Sequence, residues 1–261
     1  MSNDGFVEQY RNADDYKLAA NYGDEYLRWK GWNTDAFGTL SKRDEADIQA
    51  IIKKSGITFP PLSSALEIGF GNGGLLAYGK SQQWEMHGTE VNDGLIRRAI
   101  QNGYRAVHAD KLKLYSSSYF DLVLAFNILE HLPQHVLLAY LREVQRILKD
   151  GGVFIARFPN GDSPFARMIQ HGDHTHLTTI GSMKANYYIK DLGAETIYIG
   201  GEPEPMWHCF PHLVYRVLTV PVKKLISLML NLLFCPGNPK AFCSLNLIMI
   251  IRVVKPTTTV K

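Results

Sequence analysis

The densest chemical signal in the sequence is the run Glu67-Ile68-Gly69-Phe70-Gly71-Asn72-Gly73. Glycines at alternate positions let the chain turn sharply and let a ligand lie against bare backbone. An apolar run, 65–68, leads into this turn, and a helix-like segment opens near Gly73, where the first N–H groups of a helix are open to a ligand. Seventeen residues beyond Gly73, Glu90 closes a second apolar run. A carboxylate at that place can accept hydrogen bonds from both hydroxyls of a ribose, each contributing roughly 1.5–3 kcal/mol. Turn and acid together predict a nucleotide site. A second set of residues could move protons: His131, and His174 and His176 in the loop HGDHTH at 171–176. Imidazole titrates near neutrality and suits the deprotonation of a hydroxyl. His171, Asp173, His174 and His176 also contain metal-ligand types, but no zinc-type spacing supports them and no metal is expected.

These residues need elements to hold them. Apolar runs at 65–68, 86–89, 106–108, 122–126 and 153–158 alternate with helix-like segments at 73–82, 92–102 and 134–148. Strands alternating with helices of such length imply βαβ units and a parallel sheet. In 134–148 the residues Val136, Leu137, Tyr140, Leu141, Val144, Ile147 and Leu148 form one helical stripe, stopped at Asp150-Gly151-Gly152. A helix over 180–191, a strand over 194–199, an apolar helical stretch over 213–234 and a last strand over 244–254 complete the pattern. Upstream, 42–55 has helical spacing and ends at Pro60-Pro61.

The glycine run alone also fits a dinucleotide fingerprint. Four features favour S-adenosylmethionine over NAD. Glu67 stands inside the strand, where a dinucleotide fold places an apolar residue. About sixty residues precede the first strand. Asp110 ends the third strand, where it could cap an adenine amino group. The fourth strand runs Phe120–Asn127 into Ile128-Leu129-Glu130-His131-Leu132. In Glu67, Gly69, Gly71, Gly73, Glu90, Asp110, Asp121, Val123 and the Leu129–Leu132 signature the chain resembles the class I methyltransferases over about 64–200. One departure is Asp150, where the family's L-K-P-G-G turn has proline. The resemblance implies an α/β fold: a doubly wound, seven-stranded, mostly parallel sheet with an antiparallel last strand and an N-terminal helical extension. It implies S-adenosyl-L-methionine as cofactor, held by Glu67, Gly69, Gly71, Gly73, Glu90 and Asp110. Asn127 is expected beside the methionine part. Tyr26, Arg28 and Trp29 read either as a lid, with Arg28 reaching the cofactor carboxylate, or as an amphipathic helix.

Phe158-Pro159-Asn160, Ser163-Pro164-Phe165 and Gly172–Leu177 resemble a subgroup of bacterial methyltransferases that act in surface-polysaccharide biosynthesis. That resemblance implies an acceptor on an activated sugar, a glycan end, or a phosphate-type group. Among the histidines, His176 is favoured as base or acceptor-binding residue, with His131 and His174 as the other candidates. The competing readings are an NAD-linked oxidoreductase, which leaves Glu67 and the Leu129–Leu132 signature unexplained, and a non-catalytic partner subunit, which would be expected to have lost the glycine turn or Glu90.

The totals bound the rest. The chain has 261 residues, 28 basic and 25 acidic, for a net charge of +3. That balance and the absence of a basic stripe argue against nucleic acid as partner, as does the absence of an N/D-P-P-Y/F tetrad after the fourth strand. Three widely spaced cysteines suggest reduced thiols and a cytoplasmic setting. The polar, acidic N-terminus does not read as a secretory signal. We read 1–58 as an N-terminal helical cap, 59–200 as the cofactor-binding core, 201–240 as an apolar helical insert and 241–255 as the final core strand. Within the insert, Arg216, Pro221, Lys223, Lys224 and Asn231 interrupt what would otherwise be a membrane-spanning run. The simplest expectation is a helix pair packed on the sheet. The alternative is an interfacial helix with Arg216, Lys223 and Lys224 at lipid headgroups, which would place the protein peripherally at the inner face of a membrane.

Overall fold

The computed structural model describes residues 27–28, 30–31, 36–205 and 210–255. Its elements are α1 (Lys42–Lys53), β1 (Ser64–Ile68), α2 (Gly74–Ser81), β2 (Glu85–Glu90), α3 (Asp93–Gln101), β3 (Arg105–His108), β4 (Phe120–Phe126), α4 (Gln134–Ile147), β5 (Leu148–Pro159), α5 (Arg167–Gly172), α6 (Ser182–Leu192), β6 (Glu195–Gly201), α7 (Phe210–Phe234) and β7 (Asn246–Arg252). They form a seven-stranded sheet in the order β3-β2-β1-β4-β5-β7-β6. The first five strands are parallel, and β7 runs antiparallel to both β5 and β6. The chain starts at β1, works outward to β3, then crosses back to β4. That reversal opens a crevice at the carboxyl ends of β1 and β4.

Strand alternation builds the two faces. In β4, Val123 and Ala125 face one core with Leu137, Leu141 and Val144 of α4 and Ala185, Ile189 and Leu192 of α6. Leu122 and Leu124 face the other, with Ile51 of α1, Leu76 of α2 and Leu95 of α3. Both faces of the central strands are buried, which explains runs apolar throughout rather than alternating. Helix starts are capped by side chains: Ser41 accepts from Asp44 N–H at 3.1 Å, and Asn92 from Leu95 N–H at 3.1 Å. At the opposite edge, Asp121 bridges Ser64 N–H (2.9 Å) and Lys149 Nζ (2.8 Å), tying β1, β4 and the start of β5 together. Asp121 therefore belongs to the scaffold. Asp150, in the place of the family's proline, accepts from Lys255 N–H at 2.9 Å.

Three expectations change. Strand β5 starts at Leu148, not 153, because Leu148 pairs with Phe120 before the turn residues and the ladder resumes at Val153. The apolar insert is one helix of 25 residues that continues through Pro221, not a helix pair, and its apolar side chains are exposed instead of packed on the sheet. By length and composition Leu213–Phe234 also suffices to cross a membrane, with a mean hydropathy of 1.7. Of the residues that interrupt the run in sequence, Arg216, Lys223 and Asn231 fall on one side of the helix, and Pro221 and Lys224 are exposed.

Candidate active site

A cavity of about 510 Å³ opens at the carboxyl ends of β1 and β4, within the ~300–1,000 Å³ of small-molecule sites. Its floor is the turn between β1 and α2: Glu67, Gly69, Phe70, Gly71 and Asn72 line it. Gly69 has φ 69° and Gly73 has φ 73°, the left-handed region that side chains disfavour. Each is also tight. A Cβ on Gly69 would run into the Ile128 side chain, and one on Gly73 into the ring of Phe37. Glycine is thus required both by the turn and by what packs over it.

Two carboxyl groups face this floor. Glu90 is buried, and its Oε2 accepts from Gly71 N–H at 2.9 Å while Oε1 accepts from Val91 N–H (2.8 Å) and Asn92 N–H (3.2 Å). Burial raises its pKa, and the three N–H donors oppose that rise. The group is fixed in orientation before any ligand arrives. Glu67 is also buried, and its Oε2 has no hydrogen-bond partner. Burial and then the nearby Glu90 charge push its carboxyl well above the usual range. A buried oxygen without a partner is costly unless a ligand completes it.

Beyond the turn, the end of β4 supplies Asn127, whose φ of 58° is one that asparagine tolerates better than most residues. Its N–H donates to Arg157 O at 2.7 Å, and Arg157 Nε donates to its Oδ1 at 3.4 Å. Both residues line the cavity. Arg157 also pairs with Glu202 at 3.2 Å and lies over the Phe126 ring.

The proton-handling residues meet at the cavity wall. His131 closes the 3-10 turn Leu129–His131 and lines the cavity. The loop carrying His176 is clamped onto this turn: Glu130 O accepts from Leu177 N–H (2.8 Å) and Thr178 N–H (2.9 Å), and Thr178 Oγ1 donates to Leu132 O (2.6 Å). The clamp stacks His131 edge-on against His176 with ring centroids 4.7 Å apart. Behind them runs a chain of bonds. Lys30 Nζ donates to Asp173 Oδ2 at 3.0 Å, and Thr175 Oγ1 donates to Asp173 Oδ1 at 2.5 Å. His131 Nδ1 lies 3.0 Å from Thr175 Oγ1 and 3.2 Å from Thr175 O. The threonine hydroxyl proton is already committed to Asp173, so both neighbours of Nδ1 are acceptors. Nδ1 therefore carries the ring proton, and the basic lone pair sits on Nε2. His176 Nδ1 likewise faces Gln170 O at 3.1 Å, while its Nε2 is 3.7 Å from Asp173 Oδ2 and 3.9 Å from Glu130 Oε1.

Burial sets the charges in this cluster. It pushes His131 down to about 4, reinforced by His176, and lowers His176 also. It pushes Glu130 up to about 8, and neither carboxyl oxygen of Glu130 has a hydrogen-bond partner. Asp173 goes the other way: burial would raise it, but the bonds from Thr175 and Lys30 hold it far below the usual carboxylate range. At neutral pH the cluster holds two neutral rings, a protonated Glu130 and one Asp173–Lys30 ion pair.

Of the residues singled out from sequence, Glu67, Gly69, Gly71, Glu90, Asn127 and His131 line one cavity, and Gly73 supports its floor. Four fall elsewhere. His176 stands behind His131. His174 is exposed, because side chains in 173–175 alternate between core and solvent. Asp110 turns to His108 at 2.8 Å, leaving Ala109 at the cavity. Arg28 is exposed, while Leu27 and Lys30 reach the cavity from the same segment; Tyr26 and Trp29 lie outside the described residues. Among the described residues, the ligand-type atoms that converge within 4.8 Å belong to Glu130, His131 and His176, not to the His171–His176 set considered from sequence. Lys30, Glu130, Thr175 and Arg157 join the site only in the structure. Only Glu130 had a signal, its place in the Leu129–Leu132 signature.

Comparison with known proteins places the domain in a family and its fold among solved structures. The family described as "Methyltransferase domain" matches residues 39–192. No curated protein sequence matches the chain. Among solved structures, an S-adenosylmethionine-dependent methyltransferase from Archaeoglobus fulgidus aligns with TM-score 0.61 at 19% identity, covering 88% of this chain and 100% of that one. The 1,6-didemethyltoxoflavin-N1-methyltransferase of Burkholderia thailandensis, solved with its substrate and S-adenosylhomocysteine, aligns with TM-score 0.57 at 13% identity, covering 93% and 90%. An S-adenosylmethionine-dependent methyltransferase from Mesorhizobium loti aligns with TM-score 0.52 at 14% identity, covering 84% and 100%. At these identities the likeness is one of fold.

Proposed function

The chain belongs to the methyltransferase-domain family, and on that premise we propose that it transfers a methyl group from S-adenosylmethionine to an oxygen of a sugar or phosphate-type group on a bacterial surface glycan or its precursor. The observation that carries the cofactor part is the cavity floor: Glu90 held by three backbone N–H groups beside a glycine turn, with Glu67 Oε2 unpartnered next to it. The residues fit the group. Glu90 is our candidate for the ribose hydroxyls, the left-handed glycine turn brings bare backbone to the cavity floor, and the orphaned oxygen of Glu67 suits an ammonium donor. Lys30, a cation on the cavity wall, is the residue we assign to a carboxylate end, in place of Arg28.

When bound, S-adenosylmethionine supplies a methyl group already activated on a sulfonium, so the protein's task is to align the acceptor and take its proton. His131 is our candidate base. Its Nδ1–H is tied to Thr175, which directs the Nε2 lone pair as acceptor, and its depressed pKa keeps the ring neutral at physiological pH. Asp173, kept ionised by Lys30 and Thr175, favours the protonated ring once it forms. His176 positions His131 by ring contact. The acceptor class rests on the resemblance of 158–177 to the polysaccharide subgroup and on a neutral imidazole at the cavity wall; it points to an acceptor met at the inner face of a membrane, as lipid-carried glycan precursors are.

Calorimetric titration with S-adenosylmethionine and S-adenosylhomocysteine, on wild type and Glu90→Ala, tests the cofactor. Micromolar binding that is lost in the variant is expected; no binding by folded wild type would overturn the reading. Methyl incorporation into sugar nucleotides and lipid-linked sugars then tests the acceptor, and transfer confined to amines would refute it.

A further inference from the structure

Helix α7 turns its polar residues toward the protein and its apolar residues away from it. Arg216, Lys223, Ser227 and Asn231 recur at spacings that fall on one stripe. Arg216 pairs with Glu204 at 2.7 Å, and Lys223 pairs with the other oxygen of the same carboxylate at 2.8 Å. Asn231 Nδ2 donates to Lys240 O at 2.9 Å, and its Oδ1 accepts from Lys240 N–H at 2.6 Å. The remaining arc, about 200° at 100° per residue, carries Leu218, Leu225, Met229, Leu232 and Leu233, each more than half exposed. Lys224 is the one charged residue on it. A surface helix in water has the opposite distribution. A protein–protein contact has an apolar centre with a polar rim, whereas here the apolar side chains reach both flanks and run the length of the helix.

We propose that α7 is an in-plane membrane anchor, its outer face set among the acyl chains at the surface of a lipid bilayer. It lies on the bilayer rather than across it. The Glu204 pairs and the Asn231–Lys240 bonds fasten it to the body along one side, and Lys240 Nζ donates to Ser182 Oγ of α6 at 2.8 Å. A spanning helix would carry all of these polar groups into hydrocarbon. The anchor differs from the basic interfacial helix that the sequence offers as an alternative, because Arg216 and Lys223 share the one Glu204 carboxylate on the inner side instead of facing headgroups. Apolar burial drives the binding, with Lys224 the one basic group on the outer face, so binding persists on neutral lipid and at high salt. The insert leaves the sheet after Gly201 and rejoins it at Asn246, which pairs with Pro159 at the carboxyl end of β5. This is the sheet edge that holds the cavity, so the docked helix brings the cavity edge to the lipid surface. That last point rests on the methyl-transfer reading; the anchor itself does not.

The test is co-flotation of the full chain with vesicles of phosphatidylcholine, and of phosphatidylcholine mixed with phosphatidylglycerol, at low and high salt. Binding to both, at low and at high salt, is expected. The double variant Leu225→Glu, Met229→Glu should lower partitioning at least about tenfold while S-adenosylhomocysteine binding stays intact. Failure of wild type to float with either vesicle overturns the proposal. So does binding to anionic vesicles only that is lost at high salt, or flotation undiminished in the double variant. A dimer in sedimentation that the variant abolishes, without vesicle binding, would assign the face to a second copy instead. Loss of vesicle binding and loss of cofactor binding are separate readouts, so either reading can fail alone.

Discussion

Glu130→Gln should make this protein more stable as pH rises from 5 to 8, relative to wild type. The side chain is 1% exposed and its carboxyl oxygens have no hydrogen-bond partner. Burial raises its pKa from 4.5 to about 8 in the folded chain. Between those values the unfolded chain releases the proton and the folded chain keeps it. Stability conferred by the protonated acid is thus complete below pH 4.5 and is lost as pH rises through 8. At 1.36 kcal/mol per pH unit, the loss reaches about 2 kcal/mol at pH 6 and about 4 kcal/mol at pH 8. Glutamine has the same shape and no proton to lose, and the backbone carbonyl that clamps Leu177 and Thr178 is untouched. The difference between variant and wild-type unfolding free energies, from urea denaturation at pH 5, 6, 7 and 8, should climb steadily by several kcal/mol. Any fixed cost of the amide shifts the whole line without altering its slope. A flat difference would mean that Glu130 titrates normally. A falling one would mean that it is ionised and paired with His176, which would refute the account of the cluster as two neutral rings beside a protonated acid.

Other outcomes follow from the same geometry. His131→Gln should lower the methyl-transfer rate by about 10²–10⁴ with S-adenosylhomocysteine affinity unchanged, read from initial rates and calorimetry. The unfolded chain protonates a histidine near pH 6.5, and the folded chain protonates His131 only near 4. Wild type should therefore lose about 3 kcal/mol as pH falls across that window, and His131→Gln should remove this dependence in acid denaturation. Gly69→Ala should cost roughly 2–5 kcal/mol, from a left-handed alanine and from collision with Ile128, seen as a fall in the urea midpoint together with weakened cofactor binding. Lys30→Met should weaken cofactor binding and let Asp173 titrate nearer the usual carboxylate range, which carboxyl NMR would report; unchanged Asp173 titration would remove Lys30 from the network.

The cofactor floor was legible because its signals are local. The turn needs glycines within seven residues, and Glu90 ends the adjacent parallel strand, where Glu67 pairs with Gly88 and Ile68 with Thr89. Strand and helix periods gave the element order and, through the family resemblance, the antiparallel last strand. What could not be read depends on direction at a single residue. Asp110 and Ala109 are neighbours, yet only Ala109 faces the cavity, because the chain enters a 3-10 turn there. Arg28 and Lys30 are two apart in sequence, yet Arg28 is exposed and Lys30 reaches Asp173. His176 was favoured over His131 on the loop's position alone. The clamp that puts His131 in front joins residues some 45 apart and becomes visible only once Glu130 O meets Leu177 and Thr178.

The apolar insert shows the same limit most clearly. Its polar stripe, Arg216, Lys223, Ser227 and Asn231, has one helical spacing whether it faces water or protein. Periodicity therefore identifies the helix and its two faces and says nothing of which is outside. The choice is made by Glu204, twelve residues before Arg216, whose single carboxylate takes both basic groups. An acid in the preceding loop, paired with two bases on the helix, draws the polar stripe inward and leaves the apolar arc exposed. The charges that in sequence interrupt a membrane-spanning run are, once Arg216 and Lys223 are paired, the means by which the apolar face is held outward. A run of hydropathy interrupted by basic residues should be judged with the acids that flank it, because a paired inner stripe and a solvated outer one have the same composition and opposite consequences.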